Sequence, residues 1–437
     1  MPQLDPIPAN NYESIITGGA GIYYIDWPHL DVRAKIDRIT EGSGEIKAEV
    51  KITSGRPDGG HLRAARLNLT SLTSRNAFAK SLLSRDKSLD WDLIIEAICI
   101  ATLDEFRQGS PVVALDGTLA KDETARWVVQ DLIQTHNPTL VYGPGASGKS
   151  FLAQFLATII SNNITANAAG LQVQKPLRTL YLDYETDEAE LDGRLAMIRR
   201  GLGIEASHHN ILYRSMTRGL ADDVENLQAY QREHGIEFLI IDSMNAACGG
   251  EPENARTILN TFNALKSIVT ADGKSLSSLI IDHTNRNDQI YGSESKRDRA
   301  RLLFRCKKAQ ADNSDRIQLG LFLEKTNNTP MIKPMGFEIL FNGNSITVKR
   351  QDIKTSPLEE YMKIPDRIAN ALSRYGKLSA EEIAEEIGKE ESHVKKELSY
   401  GKKAGKFIQL ADRKWALPAR RDDIVRETYQ RELEGEI

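Results

Sequence analysis

Residues 143 to 150 read Gly-Pro-Gly-Ala-Ser-Gly-Lys-Ser, and this stretch decides the fold class of the chain. Its glycines leave the backbone free to curl so that successive N–H groups point inward. An apolar, strand-like segment at 139–142 precedes the stretch, and a helical pattern over 148–161 follows it. A helix that begins at such a turn adds the positive end of its dipole. The stretch therefore predicts a phosphate-binding loop for a nucleoside triphosphate.

The side chains of this loop have separate expected roles. Lys149 would reach the β- and γ-phosphates, and the Ser150 hydroxyl would ligate Mg²⁺. The expected cofactors are therefore ATP and Mg²⁺. The expected nucleotide-binding residues are Gly143, Pro144, Gly145, Ala146, Ser147, Gly148, Lys149 and Ser150.

Around the loop, from about residue 125 to 350, short apolar segments alternate with amphipathic helical patterns. The predicted strands are 139–142, 179–184, 238–242, 279–283 and 319–325. The predicted helices are 148–161, 187–201, 223–233 and 254–270. Apolar strands that alternate with helices are typical of a parallel sheet covered on both faces. Two later segments, 332–341 and 345–350, favour a hairpin extension of that sheet.

Two further regions flank this α/β core. Residues 1–115 combine predicted strands and two helices and indicate a small α+β domain. Its predicted strands are 23–27, 30–39, 46–53 and 61–70, and its predicted helices are 72–85 and 90–107. In residues 358–418 the order helix, helix, turn, helix, hairpin predicts a winged helix-turn-helix. Residues 419–437 are a charged tail.

Composition and charge exclude several classes of protein. The chain has 437 residues, a net charge of -4 and three widely spaced cysteines. This acidic balance argues against coating of nucleic acid by bulk charge, so any such contact needs a local patch. No apolar run approaches the roughly 20 residues that span a bilayer, and the N-terminus lacks a secretory signal. We therefore expect a cytoplasmic protein with reduced thiols and no membrane contact.

Acidic residues end two of the predicted strands. Asp242 closes the apolar strand 238–242, where it could hold a Mg²⁺-bound water. Glu185 follows a strand that we expect beside the loop strand, where its carboxylate could orient and deprotonate the attacking water. Asp183 is a competing candidate, although it lies deeper in the strand. A solvated acidic turn at a helix start is the alternative interpretation of Glu185.

His283 ends the strand 279–283 and could act as a sensor that contacts the γ-phosphate. A lone histidine is more often structural. Its place at the carboxyl end of a strand, where open α/β sheets bind ligands, favours a functional role.

Taken together, GPGASGKS, YLDYE, FLIIDS and IIDH resemble the motifs of RecA-like ATPases, and among these the RepA-type hexameric replicative helicases of plasmids and phages. The resemblance covers roughly 125–350. It implies Lys149 and Ser150 for phosphate and Mg²⁺, Glu185 as general base, Asp242 for Mg²⁺ and His283 as sensor. It also implies a homohexameric ring around single-stranded DNA and a replication-initiation or primase partner.

That family places a basic residue on a later strand, which reaches the γ-phosphate bound by the neighbouring subunit. Here this position offers Lys325, whereas an arginine would be more familiar. A lysine supplies a point charge without the bidentate fork of arginine. Arg286 or Arg305 could substitute for it.

Two basic regions are candidates for nucleic-acid contact. Residues 285–308 follow His283 and read as a mobile loop in an acidic chain. Salt bridges between subunits are the alternative role for these cations. The third helix of the predicted winged helix is also basic, although the acidic helix before it is compatible with protein contact instead. The candidate residues are Arg286, Lys296, Arg297, Arg299, Lys395 and Lys396.

Three functions remain open on this basis. The first is an ATP-driven, ring-forming DNA helicase or translocase of a mobile element. The second is a recombination ATPase that coats DNA as a filament. The third is an ATP-switched regulator in which hydrolysis only resets affinity for DNA or a protein partner.

Overall fold

The computed structural model describes residues 13–19, 22–55, 60–108, 114, 126–204, 211–270, 272–311, 314–327 and 329–418. Two compact units divide the chain. The first comprises residues 1–121 with 224–229, and the second comprises residues 122–223 with 230–437. Among the described residues no helix is long and apolar enough to cross a membrane.

In the first unit, an antiparallel five-stranded sheet follows chain order, and two helices contribute to the same hydrophobic core. Its elements are β1 (Ile15–Gly19), β2 (Ile22–Trp27), β3 (Val32–Gly42), β4 (Glu45–Ser54), β5 (Gly60–Asn68), α1 (Leu72–Leu83) and α2 (Trp91–Gln108). The alternation of Ala48, Val50 and Ile52 along β4 buries these side chains in the core. The predicted strands and helices of this region all form, and β1 was not predicted.

The second unit begins with the predicted α/β core. Its elements are β6 (Trp127–Val129), β7 (Ile133–Gln134), β8 (Pro138–Gly143), α3 (Lys149–Ser161), β9 (Thr179–Asp183), α4 (Glu188–Leu202), β10 (Ile211–Ser215), α5 (Leu220–His234), β11 (Phe238–Asp242), α6 (Met244–Ala247), α7 (Ala255–Ser267), β12 (Ser277–His283), α8 (Ser295–Arg299), β13 (Leu302–Ala309), β14 (Arg316–Thr326), β15 (Met335–Asn342) and β16 (Ser345–Gln351). Residues 353–355 and 357–361 form two 3-10 turns.

One large sheet organises this core, in the strand order β10-β9-β11-β12-β8-β13-β14-β15-β16. The first six strands in this order, which end with β13, run parallel to one another. The last three strands, β14, β15 and β16, extend the sheet from β13 by antiparallel pairing. The sheet is thus mainly parallel, as predicted, and is consistent with a RecA-like P-loop core. Helix α3 is buried along almost its whole length, which explains its continuous apolar sequence.

The strand order corrects one prediction about the site. We expected the strand before Glu185 to lie beside the loop strand β8. Instead, β9 pairs with β10 and β11, and two strands separate it from β8. The carboxyl ends of β8, β9, β11 and β12 still lie at one edge of the sheet, because Asp242 pairs with Asp183 and His283 with Gly143. The candidate residues therefore converge despite the different order.

At the C-terminal end of the described chain, three helices and a small sheet share a separate cluster of buried apolar side chains. These elements are α9 (Ile364–Tyr375), β17 (Lys377–Leu378), α10 (Ala380–Ile387), α11 (Glu391–Lys403), β18 (Ile408–Gln409) and β19 (Trp415–Ala416). The three helices and the hairpin form in the order that the sequence predicts. A capping box at Ser379 and Glu382 fixes the start of α10. The winged-helix assignment stays a prediction, and the predicted tail at 419–437 lies outside the described residues.

Candidate active site

The loop between β8 and α3 depends on glycine at two positions. Gly148 has φ of 88° and precedes the first residue of α3, a left-handed conformation that favours glycine. A Cβ on Gly143 would lie 2.6 Å from the carbonyl oxygen of Cys306 on β13. The loop is therefore shaped by its own backbone and by the close approach of β13.

Lys149 is only 4% exposed and lies within the curl of this loop. Its Nζ donates to the carbonyl oxygens of Gly143 at 2.9 Å and Pro144 at 2.7 Å, and to the Ser147 hydroxyl at 3.2 Å. Burial lowers the pKa of Lys149, and the electrostatic effects of Cys306, Asp242 and other nearby groups oppose that shift. The structure therefore places the ammonium group beside the backbone groups expected to bind phosphate.

Asp242, at the end of β11, is also 4% exposed. Its Oδ2 accepts a hydrogen bond of 2.8 Å from the Tyr181 hydroxyl on β9. Burial raises the pKa of Asp242, whereas the nearby Ser150 hydroxyl and Tyr181 lower it. The carboxylate oxygen Oδ1 is buried without a hydrogen-bond partner among the described residues.

An unpartnered carboxylate oxygen beside a hydroxyl group fits a hydrated Mg²⁺. Leaving such an oxygen buried and unsatisfied is costly, and Mg²⁺ prefers oxygen ligands and retains several waters. The described residues contain no cluster of three or more metal-ligating side chains. Asp242 and Ser150 would hold such an ion.

We expect Tyr181→Phe to raise the Mg²⁺ concentration for half-maximal ATP hydrolysis by about tenfold or more, the usual cost of losing an outer-shell partner. The substitution removes only the hydroxyl that fixes Asp242. A Mg²⁺ titration of the hydrolysis rate measures this effect. Tyr213→Phe on the edge strand β10 is the matched control. Equal Mg²⁺ requirements in both variants would refute the positioning role of Tyr181.

Glu185 and His283 meet across the edge of the sheet. The Oε1 of Glu185 lies 2.9 Å from Nε2 of His283. The hydrogen bond from His283, assisted by Ser243 and Lys149, lowers the pKa of Glu185 to about 2 despite the opposing effect of partial burial. The predicted base and the predicted sensor are therefore in direct contact.

Asp183, the competing carboxylate, has a structural role. It is 2% exposed, and its Oδ1 accepts hydrogen bonds from the backbone N–H groups of Glu185 and Thr186 at 3.0 Å each. Its Oδ2 accepts a bond from the Thr186 hydroxyl. Asp187 caps α4 by accepting from Glu190 N. Asp183 and Asp187 thus build the turn, and the geometry favours Glu185 for chemistry.

The predicted basic loop at 285–308 is shorter and better packed than expected. Residues 295–299 form α8 and residues 302–309 form β13, which leaves 284–294 as the loop. Its Ser293 N donates to Pro252 O at 2.9 Å, and Tyr291 N donates to His283 O at 2.9 Å. A Cβ on Gly292 would lie 2.5 Å from Pro252 O. The loop therefore packs against the segment that follows α6.

Several predicted basic residues have partners within the chain. Lys296 is 0% exposed and pairs with Asp282 at 2.9 Å, so its assignment to nucleic-acid contact is wrong. Arg297 pairs with Glu324 at 3.3 Å. Arg286 and Arg299 are exposed. These two residues remain the best candidates for phosphate contact near the loop.

Two of the three candidate trans-acting cations, Lys325 and Arg305, are also held within the chain. Lys325 donates from Nζ to the carbonyl oxygens of Arg297 and Asp298 at 2.8 Å each, and so satisfies carbonyl groups of α8. Arg305 pairs with Asp288. The role of either residue at a neighbouring subunit stays a prediction, while each has a structural role here.

On α11, Lys395 and Lys396 are both exposed, and Lys395 forms an ion pair of 2.9 Å with Glu391 one turn earlier. Their contact with nucleic acid stays a prediction.

The sequence reasoning missed two residues that shape the site. Tyr181 lies inside YLDYE, but its role depends on the pairing of β9 with β11, which is not visible in the sequence. Lys308 donates from Nζ to the Ala146 carbonyl oxygen of the loop at 2.9 Å. Lys308 lies in the basic region 285–308, which the sequence analysis interpreted as a mobile loop.

Comparison with known proteins supports this reading of the core. Residues 103–289 match the protein-family model described as an AAA domain, which covers less than half of the chain and includes the four converging motifs. A KaiC-like protein from Pyrococcus horikoshii OT3 is 16% identical, with a TM-score of 0.34, over 50% of this chain and 93% of that one. A likeness this weak adds nothing to the assignment. No functionally curated protein matches the chain. Residues 103–289 are therefore similar to an AAA domain, and the geometry of the site is consistent with a P-loop ATPase.

Proposed function

We propose that this chain is an ATP-hydrolysing, ring-forming nucleic-acid motor, and specifically a replicative DNA helicase or translocase of a mobile element. The observation that carries the proposal is the 2.9 Å contact between Glu185 and His283. Glu185 would orient the attacking water, and His283 is the residue that directly precedes the loop 284–294. The contact therefore connects the water site to this loop. A change at the phosphate would thereby reach a surface that bears Arg286.

In this mechanism Lys149 and the loop backbone bind the β- and γ-phosphates. Ser150 and Asp242 would hold Mg²⁺, which would neutralise charge on the phosphates. Glu185 orients the attacking water. Its low pKa makes it a weak proton acceptor while His283 is bonded to it. If His283 turns to the γ-phosphate, the pKa of Glu185 rises toward its ordinary value, and Glu185 becomes a stronger base.

The exposed Arg286 and Arg299 support contact with the phosphates of single-stranded DNA, which a net acidic protein must make through a local patch. In a closed ring these residues would face the central pore, and a cation from the adjacent subunit would complete each site. A homohexamer and a replication-initiation or primase partner belong to this proposal, because they follow from the motif resemblance.

The test is strand displacement on a forked DNA duplex with ATP and Mg²⁺. We expect displacement by the unmodified protein and none by Lys149→Ala. Hydrolysis that single-stranded DNA does not stimulate would count against a motor. Particle images with ATP and DNA distinguish closed rings from filaments, and filaments would favour the recombination ATPase instead.

A further inference from the structure

Lys296 lies in the charged run SKRDRAR, yet it is 0% exposed. Its Nζ donates to Asp282 Oδ2 at 2.9 Å, to Asn245 Oδ1 at 2.6 Å and to the Tyr291 carbonyl oxygen at 2.9 Å. A lysine ammonium has three N–H donors. Each of the three therefore has an acceptor inside the protein.

The three acceptors belong to three different parts of the site. Asp282 is on β12, and its Oδ1 accepts from the backbone N–H of His283 at 2.9 Å. Asn245 is on α6, three residues after Asp242. Tyr291 is in the loop 284–294. One ammonium group therefore joins the sensor strand, the segment after the Mg²⁺ aspartate and the loop that follows the sensor.

Stability alone is a weak reason to keep such a pair. Desolvation of two charges offsets most of their attraction, and well-packed apolar residues often replace a buried ion pair at no loss. Burial raises the pKa of Asp282, and Lys296 opposes that shift. The best-attested use of a buried charged group is to fix one arrangement among several. The contacts of Lys296 match that use, because they fix three segments relative to one another.

We propose that Lys296 is a positioning residue that makes the end of β12, the segment 244–254 and the loop 284–294 move as one body. A displacement of His283 at the phosphate would then shift both segments together. The role of this coupling in a nucleic-acid motor rests on the proposed function. The coupling of the three segments itself does not depend on that function.

Two altered proteins test the coupling. Asn245→Ala removes one acceptor and leaves the ion pair intact. Lys296→Met combined with Asp282→Asn removes both charges, which avoids an unpaired buried carboxylate. Asn263→Ala, at an exposed position on α7, is the matched control. Hydrogen exchange of 244–254 and 284–294 is measured in the full chain, together with ATP hydrolysis with and without single-stranded DNA.

In the double variant we expect amide exchange to rise in both segments, by about tenfold for the loss of a hydrogen bond of typical strength. In Asn245→Ala we expect a smaller rise that also reaches 284–294. In Asn245→Ala, hydrolysis without DNA should change by less than about threefold while stimulation by DNA is reduced, a pattern that general destabilisation does not produce.

Exchange that changes in 244–254 alone would overturn the inference. Where DNA stimulates the unmodified protein, full stimulation of the double variant would overturn it as well. If the unmodified protein hydrolyses no ATP, the proposed function fails, and the exchange data still decide whether Lys296 couples the two segments.

Discussion

Lys149→Ala is expected to lower kcat/KM for ATP hydrolysis by about 10³-fold, the size of effect seen when a preorganised charge-stabilising group is removed. The Lys149 ammonium is held in the loop by two carbonyl oxygens and one hydroxyl. Alanine leaves the phosphates without this cation. Steady-state hydrolysis measures the loss, and titration with a fluorescent ATP analogue reports how much of it lies in binding.

The matched control is Lys308→Ala. Lys308 also donates to the loop, at the Ala146 carbonyl oxygen, but it lies on β13 rather than at the start of α3. We expect kcat/KM for ATP hydrolysis to fall by less than about tenfold, because Lys308 contacts only an uncharged carbonyl oxygen. Equal losses in the two variants would mean that both lysines act by holding the shape of the loop, and would contradict a specific role of Lys149 at the phosphates. Retention of hydrolysis by Lys149→Ala would refute the assignment of GPGASGKS as the catalytic loop.

Much of the core was predictable because its signals are local. Strand, loop and helix follow one another around Lys149, and each candidate catalytic residue lies at the end of an apolar strand or just beyond it. In a parallel sheet the carboxyl ends of strands share one edge. This rule brought Glu185, Asp242 and His283 together even though the expected neighbour of β9 was wrong.

The features that the sequence did not reveal depend on contacts between distant segments. Strand β13, which pairs with β8 and β14, was not predicted. Its charged residues Arg305 and Lys308 made this segment resemble a basic loop. Lys296 looks like one more surface cation, because its partners Asp282 and Asn245 are 14 and 51 residues away. Neither periodicity nor charge pattern reports such partners.

The pKa of Glu185 determines how the site should respond to pH. The folded-state pKa is about 2, below the ordinary value of 4.5, so this group stabilises the fold above pH 4.5 and loses that effect as pH falls toward 2. At pH 6 to 9 the carboxylate stays ionised, and no acid limb in the hydrolysis rate should come from it. In His283→Asn the pKa of Glu185 should rise. The thermal unfolding midpoint of that variant should then depend less on pH between 4.5 and 2 than that of the unmodified protein.

Glu185→Gln is expected to lower kcat by about 10² to 10⁴-fold, the usual contribution of a positioned acid–base group, and to leave ATP affinity within about threefold. Glutamine keeps the shape and a hydrogen bond to His283 but cannot accept a proton from water. Glu188→Gln, in the first turn of α4, removes a charge from the same acidic turn and is the control. If both glutamine variants hydrolysed ATP at the rate of the unmodified protein, Glu185 would be part of a solvated turn. If Glu185→Gln lost binding and hydrolysis together, its carboxylate would act on the nucleotide complex rather than on water. Retained binding with lost hydrolysis assigns Glu185 to the attacking water, because only that step requires its negative charge.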